Sequence, residues 1–430
     1  MKFGIGVREI TPQFRTRMHG YGGRSDRFDG VNDPLTFTAI VLEDGGRRAM
    51  IGAADICTFP NDGSVPGLQG RLGAAIGCPA ENVMLNVSHT HGGPMMPTQG
   101  WLFRELARTG GAEQYRDWMY EQVLEAAEEA VQSLAEGSLW FGEGKTSVPM
   151  NRRPERNGQV LNAPNPEGEM DDRLQMLMLK DAEGAPAAIG ARVSCHPVAT
   201  GSQHLITADF VGAWRSAFSN AFGPGVLPFF LQGSGADARP SHVADGDQWR
   251  AMAHSELDTI GDQLMAETLS ALASAEFQPI TDLTLKGTIA TVTAPCEVKY
   301  TRREQFEELA KEGSIYATYA EEAIQKLDAG EEIPQSVDFL VHTLWLNEDF
   351  VLIGLNVEPL YALGAHVETA VGPAQTILLG YTNGCLGYAP DTVEMNRGGY
   401  EAMSYLYSVW SGPLLPGLED VFAGGVAKNE

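Results

Sequence analysis

The 430 residues are 43% hydrophobic and 20% charged, enough to bury one large core or two ordinary ones, and a formal net charge of −26 sets the chain against phosphate backbones and anionic head groups. Nucleic acid and stable membrane association are therefore excluded as expectations, no apolar run reaches the roughly 18 residues of a membrane span, and a small molecule is the expected partner. Residues 1–8 have no signal-peptide core, which makes the cytoplasm the expected location, and five cysteines without a CxxC pair fit neither a disulfide framework nor a thiolate zinc site.

In chain order, the apolar runs 37–42 and 49–53 flank Asp44-Gly45-Gly46 and predict a hairpin. Residues 67–76 predict a helix, and 82–88 a strand that runs into Ser88-His89-Thr90-His91-Gly92-Gly93-Pro94. The stretch 113–136 has apolar positions three and four apart with glutamates opposite, the pattern of a surface helix with a solvated acidic face. Residues 150–172, rich in Pro, Asn and Gly, predict a long loop; together with 60–68 and 95–112 it is expected to shape a pocket. Strands are predicted at 174–180 and 187–194, the second delivering His196, and helices at 211–222, 248–274 and 302–328. Strands at 339–346 and 350–356 follow, the latter ending near Glu358. With no internal repeat or composition break, the expectation is a single α/β domain with mixed sheets and flanking helices.

Three candidate ligands, His89, His196 and Glu358, thus stand at predicted strand ends, where a rigid sheet can aim them while water retains access. Catalytic zinc takes three such ligands and keeps a position for water. If the strand persists through Thr90, His89 and His91 share a face, so that one could bind metal while the other handles a proton. An HxH pair is also compatible with an ordinary turn, and His19, His204, His242, His254, His342 and His366 remain open as ligands.

The ordered segments GVREITP, MHGYGG, DPLTFTAIVLED, NVSHTHGGP, VPMNRRP, CHPVAT followed by LITADFVG, QGSGADARP, VEPLYALG and NGCLGYAPD with GGYEA span about residues 4–402. Together they resemble the catalytic domain of the neutral/alkaline non-lysosomal ceramidase family. The resemblance implies a zinc (Zn2+) held by His89, His196, Glu358 and Tyr388, with His91 beside the bound water. It also implies an oxyanion-facing Arg152, with Arg153 as a competitor in register, and Tyr400 as a second active-site tyrosine. Asp209 is expected either to orient a ligand histidine or to cap a helix.

Two departures bear on substrate. Where the family has a GDVSP-like segment whose serine is assigned a catalytic role, this chain reads Ala236-Asp-Ala-Arg-Pro240, placing Arg239 at the serine; Arg239 is expected to meet either a substrate anion or a surface carboxylate. The family's C-terminal β-sandwich domain has no counterpart, so residues 1–430 are expected to be one catalytic domain. With this net charge, ceramide is not the expected substrate. The leading expectation is a zinc-dependent hydrolase that cleaves the amide C–N bond of a soluble or short-chain N-acyl compound. A zinc enzyme acting on a sugar-like or polyhydroxylated substrate and a non-catalytic metal-binding protein are the alternatives.

Overall fold

The computed structural model describes residues 1–24, 26–98, 101–372, 374–407 and 412–428. A nine-stranded mixed sheet runs in the order Leu227–Gln232, Pro186–Val193, Arg173–Asp181, Ala135–Lys145, Lys2–Glu9, Thr36–Asp44, Arg47–Ala54, Val83–Val87, with Gln278–Ile280 also pairing to Ala135–Lys145. A second sheet has the order Lys286–Pro295, Ser336–Trp345, Phe350–Leu355, Gln375–Leu379.

The alternation of side chains along single strands explains how these layers stack. In Thr36–Asp44, Phe37, Ala39 and Val41 enter a core shared with the helices Val65–Ile76 and Ala112–Gln132, whereas Ile40 and Leu42 enter a core shared with Leu344, Leu352 and Ile377 of the second sheet. Both faces are covered, which is why this strand reads as a continuous apolar run rather than an alternating one. On the other half of the large sheet, Phe210–Phe222 and Leu257–Ser274 pack over Met176, Ile189 and Val193. The outer face of the small sheet is covered by Arg303–Leu309, Ser314–Asp328, Tyr361–Glu368 and Leu418–Gly424. The result is helix, sheet, sheet, helix. At Gly4 the approach of the Ala112–Gln132 helix to the central strand is so close that a Cβ would lie 1.8 Å from the Ala130 carbonyl oxygen.

The large sheet curls until its two edge strands are bridged by one side chain. Asn86 Oδ1 accepts from the Gln232 amide at 2.8 Å, and Asn86 Nδ2 donates to the Gly380 carbonyl at 2.7 Å, which ties in the second sheet. This junction brings the ends of Val83–Val87, Pro186–Val193 and Phe350–Leu355 to one place.

The hairpin, the strand before His89 and the paired strands before His196 and Glu358 form as the patterns predict. Other expectations are corrected. The 113–136 helix stops at Gln132, and Ala135–Lys145 becomes a strand, because pairing along Arg173–Asp181 supplies the backbone partners that its glycine-rich sequence does not announce. The 248–274 helix starts only at Leu257: Gln248–Trp249 pairs with Ala244–Asp245, and Glu256 accepts the Ala253 amide at 2.7 Å. Of the expected loop 95–112, Trp101–Gly110 is helical, while residues 99–100 lie outside those described. The strands Lys2–Glu9, Leu227–Gln232, Lys286–Pro295 and Gln375–Leu379 were not anticipated. All five cysteines are free, and no helix among the described residues is long and apolar enough to cross a membrane.

Candidate metal centre

His89, His196 and Glu358 converge where the three strands end. Glu358 Oε2 lies 3.3 Å from His89 Nε2 and 3.1 Å from His196 Nε2. Each imidazole uses its other nitrogen on a backbone carbonyl, His89 Nδ1 at 2.7 Å from Cys57 and His196 Nδ1 at 2.6 Å from Gly235. A carbonyl accepts only, so both Nδ1 atoms carry the proton and both Nε2 lone pairs are left facing Glu358. A tetrahedral ion with bonds of about 2.0–2.1 Å separates its ligand atoms by about 3.3–3.4 Å, and the two spacings of 3.3 and 3.1 Å lie close to that.

The electrostatics point the same way. Burial alone would raise the pKa of Glu358, but the neighbouring imidazoles of His89 and His196 outweigh it and hold the carboxyl well below its ordinary value. Burial, with Arg152 nearby, lowers His196 to about 4. Burial also opposes charge on His89, yet Cys57 and Glu358 together raise it to about 10. One positive charge therefore belongs between His89 and Glu358, and a divalent cation meets that need while using the same lone pairs. Cys57, His89 and His91 form a second group close enough to hold a metal. The Cys57 carbonyl at 2.7 Å, rather than its thiol at 3.7 Å, takes the His89 Nδ1 proton, so the free Nε2 faces Glu358 and the residues fit a metal at His89, His196 and Glu358.

The strand does not persist to His91. It ends at Val87, and His89 takes a left-handed backbone with φ 64°, so strand alternation is not what brings the two histidines together. The turn does it instead, setting His91 Nε2 3.2 Å from His89 Nε2. Tyr381 and Asn383 beside the site also have positive φ, a clustering of backbone strain that marks functional sites. Gly20 has φ 99° and a Cβ there would lie 2.4 Å from the His91 ring, so glycine is required for the imidazole to fit. Burial, reinforced by His89 and His196, keeps the His91 pKa well below the usual imidazole value, leaving it neutral.

Tyr388 pairs in register with Glu358 across the short strands Glu358–Pro359 and Tyr388–Ala389, and its ring stacks 6.5 Å from that of His196. The Arg152 guanidinium sits 5.5 Å from the Tyr388 ring centroid and pairs with Glu401 at 2.9 Å. Arg153 turns away, bound to Glu394, Glu401 and the Gly398 carbonyl, so the side chain beside Tyr388 is that of Arg152. Tyr400 packs 5.3 Å from Tyr388 and is 43% exposed, at the rim rather than the floor. Asp209 touches neither ligand histidine. It accepts the amides of Phe210, Ala199 and Thr200, the helix-capping alternative.

Arg239 is no surface ion pair. Its guanidinium lies partly buried, 5.1 Å from the Trp249 ring centroid. His342, one of the spare histidines, is occupied elsewhere by the Glu81 carbonyl and Asn383. Sequence reasoning missed three residues. Tyr381 lies 4.2 Å from the His89 ring, Tyr21 4.9 Å from the His91 ring, and Arg24 donates to the His91 carbonyl at 2.7 Å. The only signal for Tyr21 was its place in the MHGYGG segment, which Arg24 directly follows.

No family model matches the sequence. The chain is similar to "Neutral ceramidase" of Pseudomonas aeruginosa, with 26% identity over 222 residues, 49% of this chain and 32% of that protein. To "Neutral ceramidase A" of Dictyostelium discoideum it is 24% identical over 262 residues, 56% of this chain and 36% of that one. The matched part thus spans about a third of the length of either relative. Among solved structures, "Ceramidase complexed with C2" superposes with a TM-score of 0.75 at 18% identity, covering 98% of this chain and 73% of the other. The crystal structure of the Pseudomonas aeruginosa neutral ceramidase gives 0.74 at 19% identity over the same shares. The chain shares the fold of these ceramidase structures over 98% of its length.

Proposed function

We propose that the protein is a zinc-dependent hydrolase that cleaves the amide C–N bond of a soluble or short-chain N-acyl compound, with residues 1–430 working as one catalytic domain. The observation that carries this reading is the convergence of His89 Nε2, His196 Nε2 and Glu358 Oε2, with both Nδ1 atoms held by backbone carbonyls. These three would hold the ion, with Tyr388 as the fourth protein ligand. Imidazole and carboxylate donors without thiolate suit zinc. When bound, zinc supplies a water of pKa about 7 and polarises the substrate carbonyl.

The chain's own groups then divide the work. His91, neutral and adjacent to His89, accepts the proton of the attacking water as its oxygen bonds to the carbonyl carbon. It returns that proton to the amine nitrogen as the C–N bond breaks. Arg152 and Tyr400 donate hydrogen bonds to the carbonyl oxygen as it gains negative charge. The salt bridge to Glu401 holds Arg152 in place for that role.

The test is hydrolysis of a panel of N-acyl amino acids, short-chain ceramides and glycosides before and after chelation. Release of amine from an N-acyl compound that chelation abolishes and zinc restores is the expected result. Full activity in protein stripped of metal, or cleavage of glycosides alone, would overturn the proposal.

A further inference from the structure

Among the arginines near the site, Arg152 and Arg153 bind Glu401, and Arg24, which also has no carboxylate partner among the described residues, donates to the carbonyls of His19, His91 and Gln203; no such acceptor is found among the described residues for Arg239. Its strand Ala238–Pro240 pairs with Pro149–Asn151, and the strand's neighbours reach both halves of the centre: the His196 amide donates to the Ala238 carbonyl at 3.1 Å and the Arg152 amide to the Asp237 carbonyl at 2.8 Å. Trp249 covers one face of the Arg239 guanidinium at 5.1 Å, a cation–π contact that orients the plane and leaves its hydrogen-bonding edge available. The buried Nε has no hydrogen-bond partner, and among the described residues no carboxylate pairs with this side chain. Burial lowers its pKa, opposed by Tyr21, Tyr388 and Cys195 and reinforced by Arg152, so its charge is felt at the site that the strand's backbone contacts reach. The buried Tyr21 hydroxyl also lacks a partner, and its ring contacts His91.

A part-buried cation without a counter-ion is costly. In a chain with 56 acidic residues against 30 basic ones, its isolation is hard to ascribe to a shortage of carboxylates. A planar anion on the free edge would remove that cost. Arg152 does not share the need, since Glu401 already neutralises it.

We propose that Arg239, assisted by the Tyr21 hydroxyl, forms a carboxylate subsite beside the metal centre, so that the compounds recognised are N-acyl amino acids rather than neutral N-acyl alcohols. This deepens the hydrolase reading and rests on it only for the word substrate; binding of the anion is a separate property. Arg239→Gln keeps a polar side chain of similar length and removes the charge.

The experiment is calorimetric titration of the zinc-loaded and the metal-free protein with N-hexanoylglycine, its neutral amide N-hexanoylglycinamide, and N-hexanoyl-O-phosphoethanolamine. The unmodified chain is expected to bind the carboxylate about 10- to 100-fold more tightly than the amide, the range for a charge-assisted contact. Arg239→Gln is expected to lose that preference while its zinc content stays unchanged. Equal affinity for acid and amide in the unmodified chain, no binding of either at millimolar concentration, a preference that survives in Arg239→Gln, or tighter binding of the phosphate ester would overturn the proposal. The first comparison needs no variant, so a folding failure of Arg239→Gln leaves it decisive. If none of the three compounds is hydrolysed by the zinc-loaded protein, the hydrolase reading fails for them while the titration still decides the subsite.

Discussion

Two buried clusters of charge sit at the same end of the large sheet, and they are built on opposite plans. In the first, Asp171 accepts from Arg192, from Arg173 at 2.7 and 2.9 Å and from Ser194 at 3.0 Å, while Arg173 also binds Glu368 at 2.9 and 3.0 Å. Two carboxylates meet two guanidiniums, so the charges balance, although the buried Arg192 Nη2 has no hydrogen-bond partner. In the second, two residues along the chain from Ser194, the lone pairs of His89 and His196 face Glu358 with no cation from the protein between them. Arg239 nearby has a positive charge that no carboxylate among the described residues pairs with. A charge-balanced cluster holds a fold together, whereas an unbalanced one leaves room for a bound ion.

The comparison can be broken or sharpened experimentally. The largest effect is expected at the open cluster: His89→Ala or Glu358→Ala should lower hydrolysis by about 10⁴-fold, equivalent to about 5.5 kcal/mol. Plasma emission spectrometry on dialysed protein should show zinc lost from both; unchanged stoichiometry in both would refute the ligand assignment. At the closed cluster, Asp171→Ala strands Arg192 and should reduce unfolding free energy by about 3–5 kcal/mol in urea titrations, with zinc content intact.

The pH dependence of that loss has a definite sign. The guanidiniums of Arg192 and Arg173 outweigh burial and hold the Asp171 pKa far below its unfolded value, so its stabilisation is present above about pH 4 and fades as acid protonates the folded state. The difference between the parent and Asp171→Asn should therefore be flat from neutral to mildly acidic pH and shrink below that. Next in size, His91→Ala should leave zinc bound and lower kcat by about 10²- to 10³-fold; an unchanged kcat would remove it from proton transfer.

Asp237 offers the finest test: its buried carboxyl accepts the Tyr361 amide, and among the described residues no cation pairs with it. Burial raises its pKa to about 7, with the Tyr361 amide opposing and Glu401 reinforcing the shift. The folded pKa lies above the unfolded one, so this group's contribution is fully present below about pH 4 and lost as pH rises through about 7. Asp237→Asn should accordingly raise Tm by about 2–4 °C more at pH 8 than at pH 5, and a pH-independent difference would contradict the assigned shift.

Much of this was legible before any coordinates. Strands such as Thr36–Asp44 and Pro186–Val193 declare themselves because burial on both faces demands uninterrupted apolar runs. The HTH turn and the histidine before Pro197 stood out because few residue types can supply such lone pairs. Ala135–Lys145 stayed hidden because its glycines have weak local preference, and only the partner strands make it extended. Tyr381 and Tyr21 stayed hidden because a phenol in a loop has no pattern until the loop is folded against a histidine.

By itself, the sequence determined the α/β class, the strands that carry the candidate ligands and the residue types able to bind a metal, since these follow from local periodicity and the chemistry of single side chains. Tertiary structure alone decided which nitrogen of each histidine faces Glu358, that Arg152 rather than Arg153 lies beside Tyr388, and that no carboxylate among the described residues reaches Arg239. Those facts depend on which distant carbonyls and carboxylates arrive at the same point, and contacts between residues far apart in the chain are set by the closing of the sheet rather than by any local pattern.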